Sequence, residues 1–117
     1  MAFSMTQKVL FRHCDPAGIV FYPRYFEMIN DCVEAFFDAI GFPFEDMHKT
    51  GAVPTARIEV TFTAPGRHGE MLDLVLTCQK LGRTSLAYEI RASVGGEARF
   101  HGRSTLVHVD GSGKPTP

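Results

Sequence analysis

Tryptophan is absent from this 117-residue chain, and cysteine is scarce. Cys14, Cys32 and Cys78 are odd in number, lie far apart and form no CxxC pair. That set is neither a disulfide framework nor a zinc site, whose ligands recur at roughly two- to five-residue spacings. It suits a reducing, cytoplasmic setting. No block of one charge exists either: 12 Lys and Arg stand against 13 Asp and Glu, for a net charge of -1. Nucleic acid or an anionic membrane would need a concentrated basic patch, so neither is expected as a partner. No apolar run approaches the roughly 20 residues that span a bilayer, and no charged segment followed by an apolar stretch reads as a leader. Gly66, Gly69, Gly82, Gly95 and Gly96 punctuate turns and build no phosphate-cradling loop. There is no internal repeat or linker, so the whole of residues 1–117 reads as one domain, with no cofactor or metal implied.

What is present is a balanced globular composition, 44% hydrophobic and 21% charged, with ten Phe and three Tyr to fill a core, pocket or interface. A chain of this length hides roughly two thirds of its unfolded surface. Val9 and Phe11 alternate with Lys8, Leu10 and Arg12, which predicts a strand over Gln7 to His13. Asp15-Pro16-Ala17-Gly18 then forces a turn. Tyr25, Phe26, Ile29, Cys32, Val33, Phe36, Phe37 and Ile40 recur at spacings of three and four, the mark of one apolar helix face. Pro23 fits the first helical turn, and Gly41 followed by Pro43 stops the helix.

Four alternating runs follow, around Ile58 to Phe62, Leu72 to Cys78, Leu86 to Val94 and Ala98 onward, with Gly95-Gly96 as a hairpin turn. The last run loses its phase between His101 and Val109, which predicts a bulge near Gly102. Residues 110–117 read as a frayed tail. Short connections favour antiparallel pairing. The expected class is α+β, a curved antiparallel sheet wrapped around one long central helix.

Asp15 is the sharpest candidate for chemistry. It sits at the junction of a strand-like run and a helix start, where a carboxylate meets free backbone amides. An Asp before Pro also initiates turns, and that structural role stands beside the chemical one. His13 and Cys14 do not form a nucleophilic pair, because neighbours on a strand point to opposite faces. Phe21 and Tyr25 line a pocket or simply fill the core. Gly18 lets the backbone approach a ligand or serves only the turn.

Residues 13–26, His-Cys-Asp-Pro-Ala-Gly-Ile-Val-Phe-Tyr-Pro-Arg-Tyr-Phe, closely resemble the signature of the 4-hydroxybenzoyl-CoA thioesterase family, whose members have the hotdog fold. A looser likeness continues through the helix and Phe62-x-x-Pro65-x-x-x-Gly69. The resemblance implies an acyl-CoA thioesterase acting on an aromatic, 4-hydroxybenzoyl-like thioester, with Asp15 as nucleophile or general base. The Tyr22 backbone amide matches the position that meets the carbonyl oxygen. Gly18, Phe21 and Tyr25 would shape the substrate site, and Lys80 and Arg83 would meet the phosphates of coenzyme A. Arg57, Arg67 and His68 are secondary cations for that task. The aromatic-substrate branch carries an acidic residue where His13 stands here, whereas the other branch has His at Tyr22 and Glu at Asn30. Family members assemble as dimers, often paired into tetramers, with sites between subunits. A hotdog protein that binds acyl thioesters without hydrolysing them, or serves only for assembly, is the alternative.

Overall fold

Pro23 and Gly41 bracket the one long helix. The computed structural model describes residues 2–117, and helix α1 runs over Tyr22–Ala39 with Pro at its first turn. Tyr25, Met28, Ile29, Cys32, Val33, Phe36 and Phe37 are its buried face. Each fully buried aliphatic or Phe side chain on such a face contributes about 1.5–3 kcal/mol. The helix ends where Gly41 takes a positive φ of 92° and Phe42 N–H donates to Phe37 O at 2.9 Å. A residue with a side chain would be strained in that conformation. Phe26 is only half-buried and Ile40 is exposed, whereas Met28 belongs to the face.

The sheet is antiparallel, in the order β1-β4-β5-β6-β3. Its strands are β1 (Ala2–Lys8), β3 (Thr55–Phe62), β4 (Met71–Leu81), β5 (Ser85–Val94) and β6 (Glu97–Val107). Between α1 and β3 lie a one-turn helix α2 (Phe44–Met47) and the two-residue strand β2 (Gly51–Ala52). Strand β2 pairs with β7 (Val109–Asp110). Leu72, Leu74 and Leu76 of β4, Tyr88, Ile90 and Ala92 of β5, and Phe100 and Leu106 of β6 form one core with the helix face. This curved five-stranded sheet around one dominant helix is the hotdog fold. Among the described residues, no helix is long and apolar enough to cross a membrane.

Three expectations change. The first strand occupies Ala2–Lys8, not Gln7–His13, and Phe11–His13 form a short 3-10 turn. Val9 is fully buried, but Phe11 projects outward at 81% exposure, so their alternation was not that of a strand. The bulge in β6 lies at Arg99 rather than Gly102: Ala92 pairs with Phe100 and Ser93 with Ala98, leaving Arg99 unpaired on β5. Phase past Phe100 is regular, with Gly102, Ser104 and Leu106 all buried. It is hidden in the sequence because two of those inward residues are small or polar. The tail, expected to fray, turns back on itself. Thr116 N–H donates to His108 O at 2.8 Å and Asp110 N–H to Lys114 O at 2.8 Å.

Candidate active site

Residues 14–20 form a small hairpin whose turn is opened by Asp15 and tipped by Pro16 and Ala17. Gly18 N–H donates to Asp15 O at 2.9 Å and Asp15 N–H to Ile19 O at 2.9 Å, while Cys14 and Val20 form an antiparallel bridge. The Asp15 carboxylate accepts the Ala17 N–H at 2.9 Å through Oδ1. Oδ2 has no protein partner among the described residues. Gly18 has φ of 81° and open space where a Cβ would stand, so its role in the hairpin is conformational. The aspartate is half-buried, and it performs the turn-forming role while leaving an oxygen available.

The hairpin runs straight into α1. Phe21 N–H is taken by His13 O at 2.9 Å and Arg24 N–H by Phe21 O at 2.8 Å, and Pro23 has no N–H. The Tyr22 amide is therefore the free donor of the first turn, at the positive end of the helix dipole. No side chain caps this end. Tyr22 and Tyr25 border an open cleft of about 460 Å³ with Ile19, Val20, Phe62, Thr63, Ala64 and Pro65. Tyr25 is nevertheless core: it is 97% buried, its ring stacks on Phe62 and tilts against Phe100 at 4.9 Å between centroids. Its hydroxyl has no hydrogen-bond partner in good geometry. Burial raises the Tyr25 pKa, partly offset by the Gly66 backbone. Phe21 is exposed, edge-on to the Tyr22 ring at 5.7 Å.

His13 and Cys14 both serve the turn before the hairpin, although not by the strand geometry expected. The Leu10 N–H donates to His13 Nδ1 at 2.8 Å, and Cys14 Sγ donates to Leu10 O at 3.6 Å. Burial lowers the His13 pKa.

The expected phosphate contacts lie elsewhere. Lys80 is the last but one residue of β4, opposite Ala87. Arg83 occupies the β4–β5 turn and borders an apolar pocket of about 200 Å³ with Phe37, Phe42 and Leu81. Phe37 stands 15 residues beyond Tyr22, about 22 Å along the helix axis at 1.5 Å per residue. One chain thus keeps Asp15 and Arg83 at opposite ends of α1. Among the secondary cations, Arg57 is paired with Glu59 at 2.6 Å. Arg67 pairs by its backbone with Ile19, against the hairpin itself, and the His68 ring sits 5.9 Å from that of Phe11. A second cavity, of about 390 Å³, opens one turn past Tyr22 between α1 and β3, with Phe26, Ile29, Asn30 and Ile58 on its wall.

Sequence reasoning missed Arg99 and Glu70. Arg99 is 8% exposed and forks onto Glu70, Nη1 to Oε1 at 2.7 Å and Nη2 to Oε2 at 2.9 Å. The hydrogen bonds from Arg99 hold the Glu70 carboxyl below its ordinary pKa. The available signal was a charged residue at the strand position beside Phe100. No three His, Cys, Asp or Glu side chains among the described residues converge to hold a metal ion.

The family model of the thioesterase superfamily matches residues 17–100, beginning just after Asp15. Among solved structures, a 1,4-dihydroxy-2-naphthoyl-CoA thioesterase from Synechocystis is similar with a TM-score of 0.92 and 17% identity, over 100% of this chain and 89% of that one. A gentisyl-coenzyme A thioesterase has a TM-score of 0.92 and 23% identity, over 98% and 94%. A 4-hydroxybenzoyl-CoA thioesterase variant complexed with 4-hydroxybenzoyl-CoA has a TM-score of 0.80 and 19% identity, over 92% and 83%. At these identities the likeness establishes the fold. Among curated protein sequences none matches this chain.

Proposed function

Because the chain belongs to the thioesterase superfamily, we propose that it hydrolyses an acyl-CoA thioester with an aromatic, 4-hydroxybenzoyl-like acyl group, giving the free acid and coenzyme A. One observation carries the assignment to this site: the Asp15 hairpin leads directly into the free Tyr22 N–H of α1. A carboxylate and a fixed backbone donor are the two elements thioester cleavage requires.

Asp15 supplies the negative oxygen. As nucleophile it adds to the carbonyl carbon, the thiolate leaves, and water then cleaves the mixed anhydride. As general base it takes a proton from water while that water adds directly. Both routes consume one water and release the acid and the thiol. Negative charge developing on the carbonyl oxygen is met by the Tyr22 N–H and the helix dipole. The leaving thiolate is stable enough to depart with little acid assistance.

The acyl class draws support from the names of the solved relatives, which include thioesterases for dihydroxynaphthoyl-, gentisyl- and 4-hydroxybenzoyl-CoA. Tyr22, Phe62 and the cleft beside them offer aromatic surface for such a ring. The three cysteines are free, which fits cytoplasmic work. We place the complete site between protomers, since α1 leaves inward residues of β3 uncovered. Ile58 and Phe62 are 38% and 42% exposed.

The test is thiol release from a panel of aromatic, short-chain and long-chain acyl-CoAs, repeated with Asp15→Asn. Turnover of an aromatic acyl-CoA is expected, with kcat falling on the order of 10²–10⁴-fold in the variant at an unchanged melting temperature. Binding without release from any thioester would instead favour the non-catalytic alternative. A stable Asp15→Asn protein at wild-type rate would remove Asp15 from the chemistry.

A further inference from the structure

The bulge in β6 turns a buried arginine toward the loop that holds the Asp15 hairpin. Arg99, unpaired on β5, accepts the Thr63 N–H at its own carbonyl at 2.9 Å and sends its guanidinium beneath residues 65–70. Nη1 donates to Pro65 O at 2.7 Å as well as to Glu70. Glu70 Oε1 in turn accepts the Arg67 N–H at 2.6 Å. Both ends of the Pro65–Glu70 loop are thus tied to one guanidinium–carboxylate pair.

That loop is the outer support of the hairpin. Val20 N–H donates to Gly66 O at 2.9 Å and Ile19 bridges to Arg67. Ile19 O is the acceptor for the Asp15 N–H. Hydrogen bonds from Arg99 to Pro65 O, from Val20 to Gly66 O and from Asp15 to Ile19 O, joined through the Pro65–Gly66 and Ile19–Val20 peptide links, therefore connect Arg99 to the backbone of Asp15. The buried guanidinium is expensive to desolvate, and the bidentate pairing with Glu70, the Pro65 carbonyl and the Glu97 carboxylate 3.3 Å from Nε offset that cost. Bulges commonly re-aim a side chain beside a functional site.

We propose that Arg99 and Glu70 are positioning residues, which hold the Asp15 hairpin against the start of α1 through the Pro65–Glu70 loop. This rests on the thioesterase reading above for its effect on rate, although the mechanical coupling can be tested without it. A carboxylate displaced by an ångström loses rate on the order of 10²-fold, so the pair governs kcat without touching substrate.

The experiment compares wild type, Arg99→Lys, Asp15→Asn and the double variant on a turned-over acyl-CoA, with melting curves and amide hydrogen exchange. Lys keeps the charge opposite Glu70 but loses the fork, and Glu70→Gln is the second probe should Arg99→Lys fold poorly. The expected result is a kcat loss on the order of 10–100-fold with KM within about twofold. In the Asp15→Asn background, Arg99→Lys should cost almost nothing further, because it acts through Asp15. Exchange at the Val20 and Asp15 amides should quicken while strand amides of β4 keep their protection. Losses that multiply in the double variant would overturn the proposal, as would unchanged exchange at Val20. If no thioester is turned over, the function fails separately, and the exchange measurement alone decides the coupling.

Discussion

The Leu10 N–H donates to Nδ1 of His13 at 2.8 Å, so the buried ring two residues before Asp15 must be unprotonated at that nitrogen. Burial lowers its pKa below 6.5, Arg12 and Arg24 lower it further, and Glu27 and Asp31 oppose them. Well above pH 6.5 the ring is neutral in both folded and unfolded chains and contributes no pH dependence. As pH falls from 6.5 toward the folded value, the unfolded chain takes up a proton that the folded one refuses, and stability declines. Melting temperature should therefore drop between pH 7.5 and pH 5.5. His13→Asn offers an acceptor without a proton to gain, and its melting temperature should vary less over that interval. An equal decline in both proteins would place the titration on another group.

Two glycines around the hairpin should respond differently to alanine. At Gly18 a Cβ meets nothing within 4 Å but φ is 81°, so the cost is backbone strain of about 1–2 kcal/mol. At Gly66 a Cβ would collide with the Tyr25 hydroxyl and lie 3.2 Å from Val20 Cγ2. The Gly66 carbonyl also receives the Val20 N–H, so displacing it moves the support of Asp15. Gly66→Ala should lower both melting temperature and kcat, and by more than Gly18→Ala lowers stability. A Gly66→Ala protein as stable and active as wild type would contradict this packing.

The helix and four of the long strands were legible because their periods are written in large apolar side chains. Leu72, Leu74 and Leu76 alternate with exposed Met71, Asp73 and Val75. The first strand was misplaced because fully buried Val9 lies just past its end, while the alternation of half-buried Phe3 and Met5 with exposed Ser4 and Thr6 is modest. The candidate site divides the same way. The Asp15 turn and the Pro23 helix start are local and readable. The Arg99–Glu70 pair joins residues 29 apart in sequence, and only the bulge turns Arg99 inward.

Assembly should proceed through β3. Both β1 and β3 are sheet edges, but the side chains that β1 exposes include Ser4, Thr6 and Lys8, whereas β3 exposes Ile58 and Phe62. An edge with uncovered apolar groups is the one that pairs. Light scattering should find at least a dimer, and Ile58→Lys should shift it toward a species of about 13.0 kDa. A wild-type monomer at micromolar concentration would refute the shared-site model.

The separation of Asp15 from Arg83 makes the shared site testable by complementation. Lys80→Ala/Arg83→Ala should raise KM more than it lowers kcat, since phosphate contacts are equal in ground and transition states. An unchanged KM would move the nucleotide to Arg67, whose backbone already pairs with the Asp15 hairpin. If Arg83 does serve coenzyme A, it stands beyond the far end of α1 from Asp15 in its own chain, beside Phe37 and Phe42, and the shared-site model takes it from the partner. A heterodimer of one Asp15→Asn chain and one Lys80→Ala/Arg83→Ala chain then contains one doubly defective site and one fully native site. At low substrate it should recover about half of the wild-type rate. Were each site built from a single chain, both sites of that heterodimer would carry a defect. No native site would form, and activity would stay at the level of the two parents.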